Sequence, residues 1–458
     1  TSAAPAQLFD LRMPMNQFDR SEQLQHIGCM DILISRDFAL KIQRPELEGE
    51  LIGIMTLVAE TALWQAGDDD DWRDPLEDGF VDLELTNIGL LTALGREGSF
   101  PNGVNGLSMS TTICNVGTKD AEWFAPMDTR HPMIVMNVFR IEEGRFEHIG
   151  VSGVKHGFFA TNQSCGPCDH PGTSSLLGPN CSDTYGVGNN GDRNWLGPRS
   201  EVSAFKGTWQ CEGSFFSGGK PDCQRRNNGD VDGPVELRIA VLDQDLNRPG
   251  ATFLYEAYYI DHEDDLRANN IVHKFVRPTF RSTDQTWRFT DDSGLIGGPA
   301  IRSFGEKQSL AMPLDIGDVH MSVQTTELPN GNYRYDYAVF NFDLDPGLKH
   351  LSIPVRGAGV RAFGFHDTDQ DAGNDWTASI ENGVLSWTSP PKPNLNLLTY
   401  ATAFSFWIEA EAAPEDVQVD LGVYFNSPGV LRADTLGPKN IEIGVLPKTA
   451  PPRKTSGG

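Results

Sequence analysis

A lysine–histidine pair in a short apolar segment is the first candidate for chemistry in this sequence. His156 lies two positions after Val154 and two before Phe158, so an extended strand would turn all three side chains to one face. One interpretation makes His156 a core histidine whose ring bonds to a backbone carbonyl. The other makes it a metal ligand or general base, supported by Lys155 or by Asp183. The spacing leaves both interpretations open.

Two further histidines lie close to the same segment. His131 precedes, and His148 lies within, a predicted hairpin formed by residues 133–151. Three histidines near one sheet could bind Cu²⁺ or Zn²⁺, because imidazole suits both ions. We expect His148 to face solvent, so the sequence does not favour convergence of all three rings.

The run of residues 366–375, which begins with His366, is the clearest candidate for binding a hard cation. Asp367, Asp369 and Asp371 alternate along it, and carboxylates at alternate loop positions can converge on one Ca²⁺ ion. The run is not an EF-hand, because Ala372, the sixth position counted from Asp367, stands where that loop needs glycine. The alternative is an aspartate-rich turn whose side chains cap the backbone.

Carboxylates beside tyrosines near residue 256 fit a different chemistry. Glu256 lies in the Tyr-rich segment 252–260, and the acidic run 261–265 follows it. Glycoside cleavage needs two carboxyl groups, one as acid and one as base or nucleophile, and Asp261 and Glu263 are the available partners. The alternative is ordinary packing of tyrosines in a sheet. The acidic run is also a weaker cation-binding signal of the kind described above.

The seven cysteines indicate a cross-linked loop. Five of them fall within residues 165–223, a stretch dense in Gly, Asn, Ser and Pro, which needs a covalent or metal staple to stay ordered. Disulfides are the first interpretation, and the odd number leaves at least one thiol free or paired between chains. Zinc is the alternative, with Cys165, Cys168, His170 and Cys181 as four ligands. The candidate disulfide cysteines are Cys29, Cys114, Cys165, Cys168, Cys181, Cys211 and Cys223.

The elements that must position these residues are mostly strands. Short apolar segments with period-two alternation recur between Asn-Gly turns, which is typical of antiparallel sheets. We therefore predict a mainly β protein with little helix, in which two antiparallel β-sandwich or jelly-roll-like units are joined through a long disulfide-stapled loop region. The predicted strands include residues 133–141, 145–151, 235–242, 252–260, 319–327, 332–341, 359–366, 403–409 and 417–425.

The same pattern divides the chain into four regions. These are an N-terminal segment, 1–80, with a candidate helix at 46–66; a β domain, 81–234, with a Cys-rich long loop; a C-terminal β-sandwich region, 235–446; and a tail, 447–458.

Composition limits the function. The 458 residues include 37 Lys and Arg against 63 Asp and Glu, a net charge of −26. Such a surface repels phosphate, which argues against binding nucleic acid or an anionic membrane as the main role. No apolar run is long enough to span a bilayer. Elbow motifs of serine hydrolases, His-Glu-x-x-His pairs and dinucleotide fingerprints do not occur.

Several longer motifs run through the chain, among them His131-Pro132-Met133-Ile134, Lys155-His156-Gly157-Phe158, Cys165-Gly166-Pro167-Cys168, Leu196-Gly197-Pro198-Arg199 and Gly364-Phe365-His366-Asp367. Over most of its length, from Asp82 to Gly422, the sequence resembles a family of secreted, cysteine-containing, β-rich bacterial proteins with no established activity. The resemblance implies a secreted, extracellular or periplasmic β protein and points to no particular reaction.

Two functions therefore compete. The first is an extracellular structural or binding protein, either a surface-assembly subunit that binds copies of itself or a ligand-binding β module, with Ca²⁺ as a stabilising ion. The second is a secreted metal-assisted hydrolase or oxidase that uses Zn²⁺ or Cu²⁺ on an extracellular polymer such as a polysaccharide. The enzyme hypothesis requires at least two of His156, His131, Asp183 and His366 to converge in an open pocket. The assembly hypothesis requires large apolar or strand-edge contacts between copies.

Overall fold

The computed structural model describes residues 79–157, 159–226, 233–264, 266–311, 316–369, 371–424 and 429–440. Cys29, the candidate helix at 46–66 and the tail 447–458 lie outside the described residues. Within them the chain forms antiparallel strands joined by turns, with two four-residue α-helices, α1 (Val187–Asn190) and α2 (Asp243–Leu246). The predicted mainly β class with little helix is confirmed. No helix in the described part of the chain is long and apolar enough to cross a membrane.

The first unit contains nineteen of the strands in the described residues. They are β1 (Leu83–Ile88), β2 (Thr92–Glu97), β3 (Val104–Ser108), β4 (Thr111–Asn115), β5 (Ala121–Glu122), β6 (Met133–Glu142), β7 (Arg145–Val151), β8 (Val154–His156), β9 (Gln163–Ser164), β10 (Leu176–Leu177), β11 (Cys181–Tyr185), β12 (Leu196–Gly197), β13 (Val202–Ser203), β14 (Thr208–Trp209), β15 (Ile239–Leu242), β16 (Thr252–Ile260), β17 (Ile271–Arg281), β18 (Thr286–Asp291) and β19 (Ile296–Gly297).

Most of these strands belong to one large sheet. Its main path runs β18-β17-β16-β6-β7-β15-β3-β2, and β8, β12 and β19 pair beside that path to give eleven strands. A second sheet of four strands, β1-β4-β11-β9, packs on one face of the large sheet. Two short ribbons, β5 with β10 and β13 with β14, complete the unit.

The central strands of the large sheet are buried on both faces. Along β6, Ile134, Met136 and Val138 pack toward the four-stranded sheet, whereas Met133 and Val135 pack toward the Cys-rich region and the second unit. Successive side chains of a strand point to opposite faces, so a strand covered on both sides is apolar throughout. Polar residues on β6 and its neighbours are therefore enclosed and must find partners inside the protein.

The second unit is a two-layer β-sandwich. Its strands are β20 (Lys307–Ala311), β21 (Val319–Glu327), β22 (Tyr333–Asn341), β23 (Leu348–Pro354), β24 (Val360–His366), β25 (Thr377–Glu381), β26 (Val384–Thr388), β27 (Thr402–Ala410), β28 (Pro414–Val423) and β29 (Val430–Pro438). They form the five-stranded sheets β20-β21-β22-β27-β24 and β25-β26-β23-β28-β29. Trp376, Trp387, Phe404 and Phe406 fill the space between the two layers.

The boundary between the units does not fall where the sequence indicated. Strands β15 to β19, residues 239–297, hydrogen-bond within the large sheet of the first unit. The division expected at residue 235 is thus corrected, because the chain returns to pair with β6 and β7 before the sandwich begins at β20. The outer face of β22 and β27 then packs on the large sheet through Phe340 and Ala403, which share a core with Phe139 and Phe146.

Three disulfides staple the Cys-rich region. They join Cys114 to Cys165, Cys168 to Cys181 and Cys211 to Cys223. Disulfides are therefore the correct interpretation for the six described cysteines. The zinc alternative built on Cys165, Cys168, His170 and Cys181 is wrong, because all three sulfurs are bonded to other sulfurs.

Candidate functional site

His131 and His156 do meet, but inside the core. Met133, at the start of β6, pairs with His156 on β8, and this register brings His131 Nε2 within 2.7 Å of His156 Nδ1. The two side chains are at most 1% exposed and pack against Trp209 and Phe216. Burial lowers the pKa of His131 to about 3 and also lowers the pKa of His156, so both rings are neutral at physiological pH.

This pair fits the core-histidine interpretation, with a second imidazole in place of a backbone carbonyl. His131 Nδ1 and His156 Nε2 have no hydrogen-bond partner among the described residues. An enzyme acting on a polymer needs its general base at a surface that the substrate can reach. Two of the expected side chains thus converge, without the open pocket that the enzyme hypothesis requires.

Lys155 and Asp183 form their hydrogen bonds with groups other than the two imidazole rings in the contacts described below. Lys155 Nζ donates to the carbonyl oxygen of His156 at 2.6 Å and lies 5.4 Å from the ring centre of Tyr185. Burial lowers the pKa of this ammonium group well below its ordinary value. The Asp183 carboxylate accepts hydrogen bonds from Trp123 Nε1 and from Thr161, and burial raises its pKa. The Asp183 bonds tie β11 to the segments that carry Trp123 and Thr161, whereas the Lys155 bond stays within β8.

His148 does not face solvent as expected. Its side chain is 1% exposed, and its Nδ1 accepts the backbone N–H of Ala403 at 3.1 Å. The expectation is wrong because the second unit covers this face of β7. Burial lowers the pKa of His148 well below its ordinary value, so the neutral ring acts as a structural acceptor between the two units.

Glu256 lies at the centre of a buried polar network. Its carboxylate accepts Asn137 Nδ2 at 2.8 Å and the backbone N–H of Ala300 at 2.6 Å. Arg199 donates to Asn137 Oδ1 at 2.8 Å and to the carbonyl oxygen of Ala401 at 3.0 Å. Burial raises the pKa of Glu256 to about 7.

This network joins three parts of the molecule rather than forming a glycosidase site. Asn137 and Glu256 come from the large sheet, Arg199 from the Cys-rich region and Ala401 from the second unit. Glu256 is 0% exposed, so a sugar chain cannot reach it in this arrangement. Tyr258 and Tyr259 on the same strand are likewise buried as sheet packing.

The aspartate run forms consecutive side-chain turns. Asp367, Asp369 and Asp371 each accept the backbone N–H two residues further on, at 3.0, 2.7 and 3.0 Å. The second oxygens of Asp367 and Asp369 accept the amides of Asn396 and Asn374. This geometry is what the turn interpretation expects, and calcium binding stays a prediction.

His366 shares a cavity with His148. Together with His148, Asp245 and Asp369 it lines a cavity of about 240 Å³ between the two units. Its Nδ1 has no hydrogen-bond partner in the part of the chain that the structure describes. Asp245, however, is already paired with Arg140 at 3.1 Å.

Sequence reasoning missed a larger cleft of about 780 Å³ at the edge of the large sheet. Strand β17 pairs with β16 only as far as Val276, so its last residues and β18 leave β16 and pack against the end of the sheet formed by β2. Phe275, Phe280 and Trp287 line the cleft on this hairpin, opposite the segment 246–253. The sequence indicated an edge position at most, because Pro278 within the strand is typical of an edge strand, and it gave no sign of the cleft itself.

The rim of the cleft is charged but balanced. Phe280 stacks on Phe100 with ring centres 4.1 Å apart, which fixes the aromatic floor. Arg277 is 68% exposed and forms an ion pair with Asp292. Arg248, 47% exposed, lies 3.9 Å from Glu142. The cleft thus combines an apolar floor with polar groups of both signs at its edge.

Comparison with known proteins adds no family. No protein-family model matches the chain, and neither does any curated protein. Among solved structures, the chain is similar to the serine-rich repeat protein Srr2 of Streptococcus agalactiae, with 10% sequence identity over 81% of this chain and 98% of that chain. The TM-score of this match is 0.21, a value at which the two structures support no argument about shared fold or function.

Proposed function

We propose that this protein is an extracellular binding module that holds a polysaccharide chain in the cleft between β17–β18 and residues 246–253. The aromatic floor of that cleft is the observation that carries the proposal. Aromatic rings pack against the apolar faces of sugar rings, while polar groups at the edge bond to hydroxyls.

The charge balance of the rim supports an uncharged sugar chain. Arg277 and Arg248 each lie beside a carboxylate, so the cleft offers no surplus of positive charge to a polyanion. The net charge of −26 further disfavours polyanions at long range.

The compartment is part of the proposal. Three disulfides are typical of proteins that fold in an oxidising environment such as the cell exterior or the periplasm. The resemblance of the sequence to secreted β-rich bacterial proteins agrees with this assignment.

Affinity electrophoresis through gels that contain different neutral polysaccharides tests the proposal. We expect at least one polysaccharide to retard the wild-type protein, and Phe280→Ala to weaken that binding about fivefold, since one well-placed aromatic contact contributes roughly 0.5–1.5 kcal/mol. Arg248→Ala, which leaves the floor intact, should weaken binding less.

The matched control is Phe363→Ala, which removes a phenylalanine with 38% exposure from the second unit. It should bind like the wild type. No retardation by any polysaccharide, or equal retardation of the wild type and Phe280→Ala, would refute a role for this cleft in sugar binding.

A further inference from the structure

A histidine and two glutamates form a compact group just beyond the end of β16, whereas the cleft takes the first residues of that strand. Among the described residues, Glu122, His262 and Glu263 are the one set of three whose potential ligand atoms all lie within 4.8 Å of one another. Glu122 Oε2 is 3.0 Å from His262 Nε2. In a tetrahedral zinc site with bonds of about 2.0 Å, ligand atoms lie about 3.3 Å apart. The distance between the Glu122 and His262 ligand atoms is close to this value, and Glu263 lies within reach of both.

The backbone holds these three side chains in place. Glu122 ends β5, and its N–H donates to Glu263 Oε2 at 2.6 Å. His262 and Glu263 follow β16, and the N–H of Glu263 donates to Asp261 Oδ1 at 2.9 Å. Gly207, with φ +65°, packs so closely on the carbonyl oxygen of Asp261 that a Cβ there would overlap it. The turn that presents His262 is thus fixed from two sides.

A buried carboxyl group, that of Asp261, lies behind the imidazole of His262. Asp261 is 2% exposed, and its Oδ2 has no hydrogen-bond partner among the described residues. Its Oδ1 lies 3.8 Å from His262 Nδ1, which is also buried and without a partner. A ligating histidine usually directs its other ring nitrogen to a carboxylate, which orients the ring and increases its basicity.

Two partly exposed cationic side chains, Lys119 and Arg130, lie beside the glutamates. Arg130 Nη1 lies 3.1 Å from Glu122 Oε2, but the side chain is 45% exposed and also pairs with Asp128 at 3.4 Å. Lys119 lies 3.5 Å from Glu263 and is 55% exposed. Exposed ion pairs of this kind contribute little free energy, so a divalent ion can displace them.

We propose that Glu122, His262 and Glu263 bind one divalent transition-metal ion of the Zn²⁺ class, with Asp261 orienting His262 from behind. One nitrogen and two carboxylate oxygens are a donor set that suits Zn²⁺, whereas Ca²⁺ prefers oxygen ligands alone. The three side chains are 30%, 15% and 17% exposed, so the ion reaches them from solvent. Because Glu122 lies on the β5–β10 ribbon of the Cys-rich region, the ion staples that ribbon to the turn after β16.

Zn²⁺ titration of the full chain, purified without a histidine tag and stripped with a chelator, tests this site. We expect one Zn²⁺ per chain by calorimetry, and tetrahedral d–d absorption bands when Co²⁺ replaces it. His262→Gln and Glu122→Gln should abolish the stoichiometric event. Asp261→Asn should weaken it about tenfold, as loss of a carboxylate behind a ligating histidine does elsewhere.

Two further experiments separate the loss of a metal ligand from the loss of the fold. Circular dichroism establishes that each variant is folded, and Glu263→Gln provides a third ligand variant should His262→Gln fail to fold. The matched control Asp369→Asn/Asp371→Asn, in the aspartate run, should retain the Zn²⁺ event in full. Absence of stoichiometric binding in the wild type, its persistence in the ligand variants, or its loss in the control would each overturn the proposal.

Discussion

Folding buries Glu256 and His131, and this burial shifts the pKa of the acid and the pKa of the base in opposite directions. Burial raises the pKa of Glu256 to about 7 and lowers the pKa of His131 to about 3. In both cases the neutral form is favoured inside the protein. The types of these residues suggested acid–base chemistry, but their surroundings make them structural.

The pH dependence of stability should reveal the buried state of Glu256. The folded protein binds the Glu256 proton more tightly than the unfolded chain, whose pKa is 4.5, so this contribution is complete below pH 4.5 and is lost as the pH rises through about 7. We expect Glu256→Gln to remove up to about 3 kcal/mol of pH-dependent change in the free energy of unfolding across that window. Urea unfolding at a series of pH values measures it.

Glutamine leaves one hydrogen-bond donor beside residue 256 unmatched, and that cost does not vary with pH. The slope of stability against pH is therefore the diagnostic quantity. Glu143→Gln, at a side chain that is 74% exposed, is the matched control and should reproduce the wild-type slope. Identical slopes for Glu256→Gln and the wild type would show that Glu256 does not titrate in this window.

At the scale of elements, the alternation of apolar and polar residues predicted strands correctly where a strand and its turn lie close together in the sequence. Predicted segments 145–151, 252–260 and 319–327 coincide with β7, β16 and β21. The Cys-rich part of the 81–234 region, predicted as a long loop, contains the strand β11, which pairs with β4. Its residues lack a local signature, since a partner 70 residues away and two disulfides hold them extended. Long-range pairing of that kind is invisible to a pattern within a short window.

The disulfides should contribute to stability in the order of the chain length that each closes. Cys114 and Cys165 are 51 residues apart, whereas Cys168 and Cys181 are 13 apart. On chain entropy, the loss on removal is about 4 kcal/mol for the first pair and about 3 kcal/mol for the second. Denaturant unfolding of the paired Cys→Ser variants measures both, with Cys29→Ser as a control outside these bonds. A smaller loss for the Cys114–Cys165 pair would contradict the entropic ranking.

The response of the Tm to Ca²⁺ distinguishes two interpretations of the aspartate run: an ion site, and a turn capped by its own side chains. If the carboxylates of Asp367, Asp369 and Asp371 serve only to accept backbone and amide N–H groups, Ca²⁺ leaves the Tm of the chelator-treated protein within about 1 °C. Differential scanning fluorimetry with and without millimolar Ca²⁺ measures it. A rise of several degrees that Asp369→Asn abolishes would instead support the calcium prediction.

At the scale of the whole molecule, the two units share a core and a polar network. Arg199 donates to the carbonyl oxygens of Ser152 and Ala401 and to Asn137, so one partly buried guanidinium bridges both units and the Cys-rich region. Its burial lowers its pKa to about 10, which still leaves it charged at neutral pH. These contacts connect the parts of the molecule that carry the cleft and the Glu122–His262–Glu263 group.

Loss of Arg199 should uncouple the units. We expect Arg199→Met to destabilise the protein by about 3 kcal/mol or more, because it leaves buried carbonyls and Asn137 without their donor. In calorimetry a single wild-type unfolding transition should broaden or split as the sandwich separates from the first unit. The control Arg288→Met removes an arginine that is 57% exposed and should change little. An unchanged single transition in Arg199→Met would mean that apolar contacts alone couple the units.

The sequence by itself determined the class of this protein: mainly antiparallel β, acidic, and with five of its seven cysteines gathered in one glycine-rich stretch. Those properties follow from composition and from period-two alternation, which act locally. Only the tertiary structure decided that His131 and His156 meet inside the core, that Glu256 is enclosed, that residues 239–297 belong to the first unit, and that the hairpin 271–291 lines a cleft. Each of these depends on which distant strands pair and on what covers each face of a sheet, and no local pattern carries that information.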